Sequence, residues 1–392
     1  MAVRNPSPWL TGIDVCLSRR RGWLTGARVG LLTHAAAVDR QGCTAAERLY
    51  RDPEIDLSAL FSPEHGFFGN AGPGESCRSR RHPSWNIPIY SLYGSRRKPS
   101  RRMLAGVDVL LVDLQDLAAR PYTYVSTLWY VLEAAADTGK PLVVADRPAP
   151  LPRVVDGPPL DPAFRSFVAL IDAPLSYGMT PAETARWIVA TEKLDVDLRV
   201  APMRGYGRDA GRGAGWPPWI PPSPAIRSWE SAMCFPALVW MEAFPVLDHG
   251  RSTNLAFQVF GMREMNGEAV AEALAELGLP GVRFYSHRYV AAPPGRKGPP
   301  LDGCRLVVTD PHRFKPARTG VAILHTLNRL YGQRLWRSKG VRPEFLDRLM
   351  GTDAVRRAVR DGQAVDEIVE RWRPGLRRFR RRRRDCLLYP ER

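Results

Sequence analysis

Short apolar runs alternate with amphipathic segments through the first half of the chain, and each run ends in polar residues or a turn. The runs at 28–33 (RVGLLT), 57–61, 87–93, 107–112 (VDVLLV) and 141–144 include several that are almost continuously apolar. That is the pattern of strands buried on both faces of a mostly parallel sheet. Tyr124–Thr138 carries Val125, Leu128, Leu132 and Ala135 at helical spacing, with Gly139 as a stop, and predicts a helix. The first half therefore reads as α/β. Residues 211–224 (GRGAGWPPWIPPSP) are too rich in Gly and Pro for a regular element and mark a boundary or an ordered loop. A second unit follows, with a helix over 267–278, strands over 282–285 and 306–309, and a helical tail from 320 onward.

An open α/β sheet places its ligand crevice beyond the carboxyl ends of its strands. His34, Glu64-His65, Gln115-Asp116 and Asp146-Arg147 each follow one of the apolar runs, so four strands would deliver them to one edge. Singly, each has a structural explanation: an Asp after a strand often caps the next helix, and His65 before Gly66 can simply make a turn. Together they point to a site.

Composition narrows the field. With 392 residues, 44% hydrophobic and 25% charged, the chain has ordinary globular proportions. Its 57 basic residues outnumber 40 acidic ones and give +17, yet only six are lysine. Such an arginine excess is what a GC-rich coding sequence would give, and it competes with nucleic-acid binding as an explanation. The densest stretch, 371–384, is punctuated by Trp372, Leu376 and Phe379 at near-helical spacing and reads as a solvated helix face, without an RNA or DNA recognition motif. Six scattered cysteines form neither a disulfide framework nor a zinc motif. No signal-like stretch opens the chain and no run could span a bilayer, so a cytoplasmic location is expected, with no membrane partner. Neither a close His pair nor G-x-G-x-x-G after the first strand is present, so no metal and no cofactor are expected.

With SPEHGF at 62–67 and QDLAARPYTY at 115–124 read together, the chain resembles the bacterial exo-β-N-acetylmuramidases, a glycoside hydrolase family formerly catalogued as a domain of unknown function. The family pattern G-P-E-H-G, A-G-E, S-L-Y-G, Q-D-x-G-A-R-x-Y-T-Y, D-R-P-N-P, G-M-T-x-G-E and P-S-P-N is met, in order, by 62–66 (SPEHG), 72–75 (GPGE), 91–94 (SLYG), 115–124 (QDLAARPYTY), 146–150 (DRPAP), 178–183 (GMTPAE) and 222–225 (PSPA). Matches continue through 250–253 (GRST) to 387–389 (LLY), so the resemblance covers nearly the whole chain. Ala149 and Ala225 replace asparagines, and the family's E-G-T-N reads Glu242-Ala243-Phe244-Pro245. The resemblance implies a Rossmann-like, mostly parallel sheet domain over 1–225, a second, smaller α+β domain over 226–392, and a site between them.

Glycoside hydrolysis ordinarily needs two carboxyls. Glu64 follows a buried run and has Phe61, Phe67 and Phe68 nearby, a setting that raises a carboxyl pKa toward that of a useful acid. The resemblance points to Glu133 as the second carboxyl, although eleven residues of helix after Tyr122 would carry it about 16 Å from the crevice edge. Asp116 and Glu75 are the alternatives. A muramic acid bears a lactyl carboxylate, which an arginine would read; Arg120, Arg147 and Arg251 lie inside matched motifs. His65, Gln115, Asp116, Tyr122 and Ser223 complete the expected saccharide-binding set. The function so implied is release of terminal N-acetylmuramic acid from cell-wall fragments. A non-catalytic glycan sensor on the same scaffold and an arginine-driven nucleic-acid binder are the competing readings.

Overall fold

The computed structural model describes residues 9–209, 219–292, 296–298 and 300–391. The larger sheet holds β1 (Arg28–Thr33), β2 (Asp56–Ser62), β3 (Arg80–Arg81), β4 (Pro88–Ser91), β5 (Val109–Asp113), β6 (Leu142–Ala145) and β7 (Leu198–Ala201). Their spatial order is β3-β4-β2-β1-β5-β6-β7, and only the short edge strand β3 runs antiparallel. The topological switch falls between β1 and β5, which pair from Val29 opposite Val109 to Thr33 opposite Asp113. That is the doubly wound, Rossmann-like order, and its crevice opens at the carboxyl ends of those two strands.

Burial follows from the alternation of side chains along each strand. Val29, Leu31, Val109 and Leu111 pack on one face, with Ile13 and Leu49 from the helices Gly12–Arg19 and Ala45–Tyr50. Leu32, Leu110 and Val112 pack on the other, under the helices Tyr124–Thr138 and Pro181–Glu192. Gly139 ends the first of these with φ 62°, a left-handed C-cap that glycine adopts without a Cβ clash. This second core runs without interruption past residue 225 into the helices Trp229–Leu238 and Pro316–Trp336.

A smaller antiparallel sheet has the order β8-β10-β9, from β8 (Val259–Gly261), β9 (Val282–Val290) and β10 (Pro300–Val308). Its long β9–β10 ladder extends well beyond the 282–285 and 306–309 runs read from the sequence. The extension is polar and mostly exposed in β9, so no apolar pattern announced it. The 211–224 stretch falls outside the described residues as far as 218, and 219–224 carries no regular element. The arginine-rich segment forms the helix Arg373–Arg383, which buries Leu376, Phe379 and Arg383.

The chain's end returns to the first sheet. Tyr389 donates its hydroxyl to Asp146 Oδ2 (2.7 Å) and accepts from Met203 N (2.7 Å), while Glu183, fully buried, is held by Arg208 (2.5 Å) and Leu388 N (2.9 Å). Tyr389→Phe leaves a buried amide without its acceptor and removes one donor from Asp146. It should lower unfolding free energy by about 1–3 kcal/mol in urea titration.

Candidate active site

Beyond the ends of β1, β2, β5 and β6, the polar residues that follow each strand meet. His34 Nε2 accepts from Gln115 N (3.0 Å), Gln115 Nε2 donates to Pro148 O (2.8 Å), and Arg147 Nη2 donates to Asp113 Oδ2 (2.8 Å). Burial lowers the His34 pKa to about 3, helped by the Arg147 charge, so the ring is neutral with its proton on Nδ1. Asp116 Oδ1 accepts from Ala118 N (2.7 Å) and Tyr177 OH (2.9 Å). This buried layer is a platform beneath the site.

Above it opens a cleft of about 1040 Å³, lined from both halves of the chain. Glu64 lies in the turn after β2. The next residue, His65, is held at φ 70°, sparsely populated for a residue with a Cβ, and Gly66 follows at φ 75°. His65 Nδ1 faces Ala71 O (2.9 Å), an acceptor, so that nitrogen carries the proton. Both Glu64 oxygens accept hydrogen bonds, Oε1 from Gly74 N (2.9 Å) and Oε2 from the Thr123 hydroxyl (2.6 Å). Thr123 occupies the N-cap position of the helix Tyr124–Thr138, yet its hydroxyl caps nothing and serves Glu64 instead. Glu75 accepts from Gly72 N (2.8 Å), closing the turn that presents the Gly74 amide.

The facing wall supplies a second carboxyl. Glu242 lines the cleft on the 3₁₀ turn Val239–Ala243 and pairs through Oε1 with Arg251 Nη2 (2.5 Å). Burial raises its pKa, Arg251 opposes that rise, and the like charge of Glu64 adds to it. Tyr93 stands beside both carboxyls and is pushed up to about 12 by burial and by Glu64. Tyr122, Ser223 and Phe257 line the cleft, with Arg97, Arg227, Arg342 and Arg348 around it.

The residues singled out from sequence therefore separate into two groups. Glu64, His65, Tyr122, Ser223 and Arg251 line the cleft. Gln115, Asp116 and Arg147 lie in the platform below, and Arg120 is buried, donating to Ala173 O (2.7 Å) and Met350 O (2.5 Å). Glu133, three turns along its helix, pairs with Lys98 (2.8 Å) and does not line the cleft. Glu242, Thr123 and the Gly74 amide were not singled out. The available signal for Glu242 was that it alone matches the family's E-G-T-N.

A shallower groove of about 1120 Å³ elsewhere carries Asp14 and Asp52, which are taken up by the Thr11 helix cap and by Arg21. Among the described residues, no cluster of His, Cys, Asp and Glu is placed to hold a metal, and no helix is long and apolar enough to cross a membrane.

Two carboxyls, Glu64 and Glu242, line one cleft with aromatic rings and arginines on a Rossmann-like sheet, the kind of residue set that glycoside hydrolysis uses. The chain belongs to the exo-β-N-acetylmuramidase NamZ family, matching its N-terminal domain over residues 29–230 and its C-terminal domain over 233–389. It is 34% identical to the peptidoglycan β-N-acetylmuramidase NamZ of Bacillus subtilis (strain 168), over 97% of this chain and 91% of that protein. Two crystal structures of DUF1343 family proteins from Bacteroides fragilis NCTC 9343 share the fold. One has a TM-score of 0.90 at 29% identity, covering 98% of this chain and 99% of its own. The other has a TM-score of 0.76 at 27% identity, covering 98% and 100%.

The Asp116 pKa is raised to about 7, chiefly by burial. Because the folded state holds this proton where the unfolded chain has lost it, Asp116 withdraws stability progressively as pH rises from about 4 to about 7. Asp116→Asn keeps an oxygen for both donors. Its melting temperature relative to wild type should therefore rise with pH across that window, by on the order of 2 °C, as calorimetry at successive pH values would show.

Proposed function

We propose that this protein is an exo-acting β-N-acetylmuramidase that releases terminal N-acetylmuramic acid from MurNAc-GlcNAc fragments of peptidoglycan during cell-wall turnover. The observation that carries the reading is the pairing of Glu64 and Glu242 across one cleft in a chain of this family. Their surroundings suit them to different tasks. Glu64, accepting on both oxygens from neutral donors, is placed as the carboxylate that serves the anomeric centre. Glu242, its pKa raised by burial, is the acid that protonates the leaving oxygen. This assigns the proton to the second wall and leaves Glu133 outside the chemistry.

The lactyl carboxylate needs a cation, and Arg251 is the arginine we assign to it. Its side chain lines the cleft and is 30% exposed, so a ligand can reach it. Arg120 and Arg147 spend their guanidinium groups within the protein. Tyr122 offers a ring face to the sugar and Ser223 a hydroxyl.

Glu64→Gln should lower turnover of the disaccharide at least about 100-fold with little change in melting temperature. Wild-type rates in that variant would overturn the assignment. Glu242→Gln should be as damaging on the disaccharide but mild on an aryl muraminide, whose leaving group departs without a proton. Equal losses on both substrates would remove Glu242 from the acid role. Arg251→Met should cost most of the activity on a muraminide while leaving any weak activity on the matching glucosaminide unchanged or improved. An unaltered ratio of the two rates would place carboxylate recognition elsewhere.

A further inference from the structure

Arg251 has two claims upon it. Its Nη2 lies 2.5 Å from Glu242 Oε1, while its side chain lines the cleft, 30% exposed, with the guanidinium 5.5 Å from the Phe257 ring centre. A carboxylate arriving at the exposed edge of that guanidinium competes with Glu242 for one positive charge. The other groups acting on Glu242 replace the loss only in part. Arg342, which donates to the Glu242 main-chain carbonyl (2.5 Å), favours the ionised carboxyl less than Arg251 does, and Glu64 and Tyr93 bring only a like charge and a neutral phenol. His65 and His249, which adjoin Arg251, are kept neutral by burial.

We infer that Arg251 is an exchangeable counter-ion: in the free protein it neutralises Glu242, and the lactyl carboxylate of a bound muramic sugar draws it away, so that Glu242 takes a proton from solvent only when that sugar is seated. The inference rests on the reading of the cleft given above. It makes the substrate arm its own acid. A glucosamine residue, which lacks the lactyl group, leaves the ion pair intact and Glu242 ionised, so it is discriminated against in the chemical step as well as in binding.

Proton linkage tests this without relying on turnover. Titrating wild-type protein with N-acetylmuramic acid in buffers of different ionisation enthalpy near pH 7 should reveal uptake approaching one proton per sugar, and none with N-acetylglucosamine. Glu242→Gln should abolish the uptake while still binding the muramic sugar, and Arg251→Met should weaken that binding at least about tenfold. The wild type alone gives a second measure: affinity for the muramic sugar should fall by up to about tenfold per pH unit as pH rises, with the glucosamine affinity flat. A flat profile for both sugars, or uptake that persists in Glu242→Gln, overturns the exchange. Hydrolysis of the disaccharide, assayed alongside, reports separately on the function. Cleavage with no proton linkage refutes the exchange alone, and linkage with no cleavage refutes the glycosidase reading alone.

Discussion

One buried guanidinium holds the walls of the cleft together. Arg120 has no exposed surface, and its Nη atoms donate to the main-chain carbonyls of Pro158, Ala173 and Met350. Met350 ends the helix Pro343–Met350, whose Phe345, Arg348 and Leu349 line the cleft, so the bond ties that wall to the sheet. Among the described residues no carboxylate hydrogen-bonds to it, and although the charge of Asp172 favours the cation, burial lowers the Arg120 pKa to about 9. A charge so placed is tolerated only while every carbonyl stays where it is, because losing one would leave the cation still less compensated. Arg120 thus reinforces, on the Pro343–Met350 side of the cleft, what the continuous apolar core does beneath it.

The two carboxyls differ in what answers their charge. Around Glu64 the answering groups are neutral dipoles, an amide and a hydroxyl, aimed by a turn and by a helix start. Around Glu242 the answering group is a full charge on a side chain only partly buried. Fixed dipoles reorganise little when a ligand enters, whereas an ion pair can trade partners. Below both, the bonds among His34, Gln115, Pro148, Arg147 and Asp113 make the strand ends stiff, so adaptation is confined to the upper wall.

Much of the fold was legible in the sequence because β1, β2, β5 and β6 are apolar on both faces, and a parallel sheet has no other way to be built. Glu64 was legible for the same reason, since the residue after a buried strand must emerge at the crevice. What pattern could not settle was which motif residues face the ligand and which face inward. Arg120 and Arg147 sit in motifs as strong as that of Arg251, yet their partners are carbonyls and Asp113, which are brought to them only by tertiary packing. Glu242 was obscured by the drift of its neighbours to Ala243, Phe244 and Pro245, of which Ala243 and Phe244 are buried. Thr123 looks like any helix cap until the cap is seen to be unused. The far part of the β9–β10 hairpin escaped because the β9 extension buries too little to leave an alternating signature.

The latch at Tyr389 joins residues 243 positions apart, reaching from the chain's last turns to Asp146 at the end of β6. Nearby, Glu183 depends on Leu388 for one of its donors across 205 positions. A chain made from its N-terminus thus carries the sheet's full set of strands, and the nearer donors Thr180, Ala182 and Arg208, before the last donors to its buried acids exist. The parallel sheet must wait in an incompletely satisfied form through the synthesis of the whole second half, exposed to chaperones and proteases. Final consolidation of the larger sheet in this sense waits on Leu388 and Tyr389, however early its strands are made.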